Sequence, residues 1–226
     1  RSGRATRGAE RAVERADSAA AELMSDDDDD DVPIRVDFRD AAAARAWIED
    51  TRVRRPYRAQ FFAAFCAELA PRLRILELGS GPGQLAREII EHCDVQSYTA
   101  LDFSPAMHAI AREHLGDRVT FVTRDFRDPA WADGLGDFDA IVTLQAAHET
   151  RHARHLVPLL ERARALLVPG GVLLYADHYR TAELPSPLYT ERDEQPRALE
   201  RAGFGDVRLV CEAGGIALLS GRRPAA

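Results

Sequence analysis

The stretch Leu76-Glu77-Leu78-Gly79-Ser80-Gly81-Pro82-Gly83-Gln84-Leu85 ends an apolar run in an acidic residue and sets three alternating glycines before a helix-forming segment. Glycines let the chain turn sharply and let a ligand lie against bare main chain. The helix start behind them offers unpaired N–H groups and a partial positive charge. A dinucleotide fingerprint, G-x-G-x-x-G, needs glycine where Gln84 stands, and a P-loop needs a lysine. Asp102 lies 23 residues beyond Gly79, at the end of the next apolar run. A carboxylate there can accept from both hydroxyls of a ribose. Capping alone does not account for it, because Ser104-Pro105 already supply an N-cap and a first-turn proline. Asp125-Phe126 form a third pair, an acceptor for an adenine amino group beside a ring that can pack on its face.

These residues need elements to position them. Leu73–Leu78, Ser97–Leu101, Val119–Val122, Phe138–Leu144 and Val172–Ala176 read as short buried strands. Helical stretches fall between them at Gln84–Cys93, Pro105–Leu115 and Ala153–Leu167, which implies right-handed βαβ units and a parallel sheet covered on both faces. Gln195–Ala202 reads as a last helix, followed by strands Asp206–Cys211 and Ile216–Ser220 joined at Gly214-Gly215 in an antiparallel hairpin. Upstream, Asp40 caps a helix over Ala41–Asp50, and Pro56 opens another over Tyr57–Leu69. Phe61, Phe62, Phe65 and Leu69 make one apolar stripe on it, read as core packing.

Residues 1–31 read as a tail. They are rich in Arg, Ala and Glu, end in six aspartates, and hold too little apolar surface to offset ordering. Met24-Ser25 offers an alternative start. The expected division is this tail, a helical cap over 32–70 and a main domain over 71–221.

Composition removes several classes. All 30 basic residues are arginine, so no lysine is available for a Schiff base, a P-loop or a general base. A net charge of −7 argues against a nucleic-acid surface. Cys66, Cys93 and Cys211 are odd in number, far apart and without a C-x-x-C pair, which fits reduced thiols and a cytoplasmic setting. No apolar stretch approaches the ~18–20 residues that span a bilayer, and the N-terminus has no apolar signal segment.

The stretch Leu73–Leu219 resembles the class I S-adenosylmethionine-dependent methyltransferases. Glu77 to Gly83 is similar to that family's E/D-x-G-x-G-x-G loop, Asp102 falls at its ribose-binding acid, and Asp125 matches its third acidic position. Leu101 to Met107 resembles its segment of apolar residues flanking the adenine, and Leu167-Val168-Pro169-Gly170-Gly171 its helix-turn-strand signature. The resemblance implies an α/β, three-layer Rossmann-like fold: seven strands, mostly parallel with a C-terminal antiparallel hairpin, and helices on both faces. It implies S-adenosyl-L-methionine as cofactor, held by Glu77, Gly79, Ser80, Gly81 and Gly83, by Asp102, Phe103 and Met107, and by Asp125, Phe126 and Gln145. No metal is implied, although His148, His152 and His155 have helical ligand spacing.

The family's substrate side follows its fourth and fifth strands. His148, in Gln145-Ala146-Ala147-His148-Glu149, then stands near the transferred methyl as candidate base, with Asp177-His178 at the site edge and His178 in reserve. The nucleic-acid signature Asn/Asp-Pro-Pro-aromatic is absent, and no large insertion separates His178 from Gln195. Transfer to an O or N atom of a small molecule is therefore expected, under a lid formed by the Phe38–Leu69 helices, without nucleic-acid or membrane partners and with oligomeric state undetermined. The alternative is a non-catalytic or protein-binding member of the same fold; a nicotinamide oxidoreductase is opposed by Gln84 and the hairpin.

Overall fold

A computed structural model describes residues 30–54 and 57–225 of the chain. Nearly all of the tail, including Met24, lies outside the described residues, as does Pro56. The strands are β1 (Leu73–Leu78), β2 (Val95–Asp102), β3 (Thr120–Thr123), β4 (Phe138–Leu144), β5 (Leu167–His178), β6 (Gly205–Ala213) and β7 (Ile216–Arg222). They form one sheet in the order β3-β2-β1-β4-β5-β7-β6. The first five run parallel and β7 antiparallel to both its neighbours. The expected three-layer sheet with a closing hairpin is the one found.

Period-two alternation divides the core between the two faces. Over Ile75, Ala100, Val142, Leu174 and Leu218 pack α2 (Arg58–Glu68), α3 (Gln84–His92) and α4 (Pro105–Leu115). Over Leu76, Leu101, Ile141, Leu173 and Leu219 pack α5 (Leu156–Ala165), α6 (Glu194–Arg201) and the fully buried Trp131. Helix α1 (Ala41–Arg54) lies against α4, its first turn capped by Asp40, whose Oδ1 accepts from the Ala43 N–H at 2.7 Å. Phe61 and Phe65 are fully buried in the sheet's own core, as the stripe on α2 implied. Helix α2 thus packs on the sheet through this stripe, and its first residue, Arg58, also reaches the cavity described below.

Several boundaries differ from the expectation, and two of them change an element's form. The helix read as Ala153–Leu167 splits into a 3₁₀ turn (Ala153–His155) and α5. Pro158 has no N–H for the Arg154 carbonyl, so an α-helix cannot continue back through that point. Strand β5 begins at Leu167 rather than Val172, and Pro169-Gly170-Gly171 is a bulge within it instead of a helix-to-strand turn. Gly170 has φ +79°, and a Cβ on Gly171 would stand 2.9 Å from the Val168 carbonyl oxygen. The β6–β7 turn has φ +58° at Gly214 and +72° at Gly215, the primed geometry that matches strand twist.

Candidate active site

The carboxyl ends of β1, β2 and β4 open into a cavity of about 140 Å³. Glu77 closes its floor from β1. Its Oε2 accepts from the Tyr98 hydroxyl at 2.9 Å, and burial pushes the carboxyl up to about 8 although that bond pulls the other way. The glycine loop is pinned to β2 by the Gly79 and Ser80 N–H groups, which donate to the Leu101 carbonyl at 2.8 and 3.0 Å. Gly79 has φ +70°, and a Cβ there would fall 2.1 Å from that of Ala146. Gly81, φ +51°, meets nothing within 4 Å on that side. Gly83 is the one cofactor candidate that does not line the cavity. A Cβ on it would meet Leu115 at 2.6 Å, so this glycine serves close packing of α3 on α4.

Asp102 ends β2 with Oδ2 accepting from the Gly81 N–H (2.7 Å) and Oδ1 from the Ser104 N–H (2.9 Å). Burial nevertheless pushes its carboxyl up to about 6. Ser104 caps α4, accepting from the Met107 N–H at 3.0 Å, so Asp102 is not that cap. Phe103, Met107 and Phe126 supply apolar wall. Asp125 lines the same wall but is held in a two-point pair with Arg127 (3.0 and 2.7 Å), which keeps its carboxyl below the usual range.

Gln145, φ +56°, follows β4 and also lines the cavity, its Nε2 2.8 Å from His178 Nε2. His148 sits on a 3₁₀ turn (Ala147–Thr150), its side chain 15% exposed. Asp177, buried at the end of β5, receives the His148 backbone N–H on Oδ2 (3.0 Å) and faces Nδ1 with Oδ1 (2.7 Å). Burial opposes charge on the imidazole, but the charge and hydrogen bond of Asp177 outweigh it and raise the His148 pKa. Nε2 points the other way, 3.6 Å from Glu149 Oε1. His178, the reserve candidate, is outside this cavity. It lines an adjoining space of about 10 Å³, roughly one water's room.

Sequence reasoning flagged Asp177 only as a polar neighbour, and missed Glu149, Arg151, Arg58 and Trp47 on the wall. His152 accepts from the Arg154 N–H through Nδ1, and His155 meets Asp31 at 2.8 Å. Among the described residues no three His, Cys, Asp or Glu side chains are placed to hold a metal ion. Nor is any helix among them long and apolar enough to cross a membrane. The three cysteines are free thiols.

Residues 75–171 match the family model described as Methyltransferase domain. A reducing polyketide synthase (grgA) of a Penicillium species is 31% identical over 166 residues, 69% of this chain but 6% of that protein. A hybrid PKS-NRPS synthetase (apdA) of Emericella nidulans is 35% identical over 111 residues, 46% of the chain and 3% of that protein. The chain thus spans only a small part of the curated relatives it matches. Among solved structures, the complex of DhpI with SAH has TM-score 0.65 at 21% identity, covering 83% of this chain and 97% of that one. The CurJ carbon methyltransferase has TM-score 0.59 at 18% identity, covering 70% and 50%.

Residues 75–171 are thus a methyltransferase domain, the seven-stranded sheet that contains them has the class I, Rossmann-like form, and the cofactor of that class is S-adenosylmethionine. The cavity fits the cofactor: Gly81 leaves open space where a side chain would stand, Ser80 Oγ is buried without a hydrogen-bond partner, and Asp102 sits at the strand end among apolar walls.

Proposed function

We propose that the chain methylates an oxygen or nitrogen atom of a small molecule, with His148 as the base that takes the acceptor's proton. The observation that carries this is His148 on the cavity wall with the buried Asp177 2.7 Å behind its Nδ1. Bound S-adenosylmethionine supplies an electrophilic methyl group on a sulfonium, so little further activation is asked of the protein. What remains is orientation and proton removal. Asp177 keeps the histidine proton on Nδ1 and leaves Nε2, on the side of Glu149, to accept one. The imidazolium that results is stabilised by the buried carboxylate, as in other His–Asp pairs. The acceptor's proton would thus go to Nε2 as the acceptor's lone pair forms the new bond to the methyl carbon and that carbon's bond to sulfur breaks, with S-adenosylhomocysteine as the leaving group. Glu77, Ser80, Gly81 and Asp102 would hold the cofactor, and Phe103, Met107 and Phe126 would give it an apolar wall.

A carbon acceptor is the second reading, favoured by the likeness to polyketide synthases and to a carbon methyltransferase. The same base serves an acidic C–H. Incubating the chain with methyl-labelled cofactor and a panel of phenols, amines and β-dicarbonyl compounds tests both. Product NMR then locates the label. Label on oxygen or nitrogen supports the first reading, and label confined to carbon replaces it with the second.

A further inference from the structure

Among the described residues three large apolar side chains are well exposed: Ile34 at 47%, Val36 at 36% and Leu209 at 47%. Leu209 is on the edge strand β6 and does not line the cavity, whereas Ile34 and Val36 both do. The segment that carries them is fixed at both ends. On one side Asp31 pairs with Arg154 (2.7 Å) and His155 (2.8 Å), and the Val32 N–H donates to the Arg151 carbonyl at 2.8 Å. Arg151 in turn donates from Nε to the Val32 carbonyl (2.8 Å) and from Nη2 to that of Pro33 (2.6 Å). On the other side the Phe38 carbonyl accepts from the Ser104 hydroxyl, and the Phe38 ring meets Trp47 edge-on at 5.2 Å. Residues 31–38 are therefore a strap tied across the mouth, with two apolar side chains held against water. Such exposure is unfavourable unless something apolar covers it.

Charge narrows what that is. Each arginine on the wall is committed to an oxygen of the chain itself: Arg58 to Gln84, Arg124 to the Trp131 and Asp133 carbonyls, Arg127 to Asp125, and Arg151 to Glu149 and the strap. An anionic acceptor would have to displace one of these. We propose that the strap selects the acceptor, and that the acceptor is an uncharged molecule with an apolar body. That body seats on Ile34 and Val36, with the atom to be methylated turned toward His148. This rests on the methyl-transfer reading above and adds the substrate class to it.

The probe is N-phenyl-1-naphthylamine, an uncharged apolar fluorophore, titrated into the full chain saturated with S-adenosylhomocysteine. Saturable one-to-one binding is expected, weakened about tenfold or more in the Ile34→Ser/Val36→Ser double variant by the lost apolar contact. Leu209→Ser, at the third exposed site, should bind as the parent does. Affinity for S-adenosylhomocysteine by calorimetry should be equal in all three. Unsaturable binding, equal binding by the double variant, or equal loss in Leu209→Ser overturns the proposal. So does loss of S-adenosylhomocysteine binding in the double variant, which would put these side chains in the cofactor's subsite. A concentration-dependent dimer abolished by the double variant also overturns it, since a second copy would then be what covers them. Probe binding does not depend on turnover, so it reports on the strap whether or not His148 is the base. A failure of the base assignment is read instead from the transfer rate of His148→Ala.

Discussion

His148 lies between two carboxylates, Asp177 at Nδ1 and Glu149 3.6 Å from Nε2. With Asp177 holding its pKa above the ordinary value, the base is available only once the pH has passed that raised value. The methyl-transfer rate should therefore rise with pH through one ionisation above ~6.5. In Asp177→Asn the inflection should move to lower pH and the maximum rate should fall. His148→Ala should cost roughly 10²–10⁴ in turnover while affinity for S-adenosylhomocysteine is kept. A single-turnover assay across pH checks both, and a His148→Ala variant of unchanged rate would remove the histidine from the chemistry. The pair also shapes stability. His148 is more basic in the fold than its ordinary 6.5, so its contribution is full below that pH and is lost as pH rises through the folded value. Asp177 is held below its ordinary 3.8, so its contribution is full above that pH and is lost as pH falls through its folded value. Melting temperature should thus show the pair's benefit most between pH 3.8 and 6.5, and Asp177→Asn should erase it there. At this scale the sequence revealed chemistry but not partnership. Asp102 ends β2 and His148 stands on the turn that follows β4, where residue type and position are readable. The pairing of His148 with Asp177, 29 positions away, appears only when β4 and β5 lie side by side.

The glycine loop shows what an element asks of its residues. Gly79 has no room for a Cβ, and Gly81 has room but an unfavourable φ for any other residue. Gly79→Ala should therefore unfold more easily, losing roughly 1–2 kcal/mol from backbone conformation alone and more from overlap with Ala146. Gly81→Val should lose less stability than a clash would impose, yet bind S-adenosylhomocysteine far more weakly. Urea unfolding and calorimetry on the two variants separate these effects, and equal stability of Gly79→Ala and the parent would contradict the packing. Strands β1 and β4 and helix α4 were legible to the residue, because an apolar run bounded by glycine, proline or a cap has sharp edges. The start of β5 was not. Pro169 and the two glycines read as a stop, but a bulge can absorb such residues when both flanks pair with the same neighbour, as Leu167 and Val172 do with β4. The strap was unreadable for a different reason: Ile34 and Val36 alternate like a strand, but their anchor is Arg151, more than a hundred positions on.

For the molecule as a whole, deleting residues 1–29 should leave melting temperature and cofactor affinity nearly unchanged, since that stretch offers little apolar surface to bury. Extending the cut through Pro33 should lower the melting temperature by several degrees, because Arg151 then loses two carbonyl partners inside the site. Differential scanning calorimetry on the two truncations is the check, and equal values for both would show that the strap is energetically idle. The sheet order carries a consequence of another kind. Strand β7 is last in sequence but penultimate in space: β6 pairs through it, and β5 finds its second neighbour only there. During synthesis β1 to β5 emerge in order, yet the edge of β5 stays open until residue 222 has left the ribosome. Over that interval the buried face of Leu174 and Ala176 has nothing from Leu218 to pack on. The nascent chain therefore carries an exposed apolar sheet edge from the emergence of β5 until that of β7, and that interval is when a holding chaperone would matter to its yield.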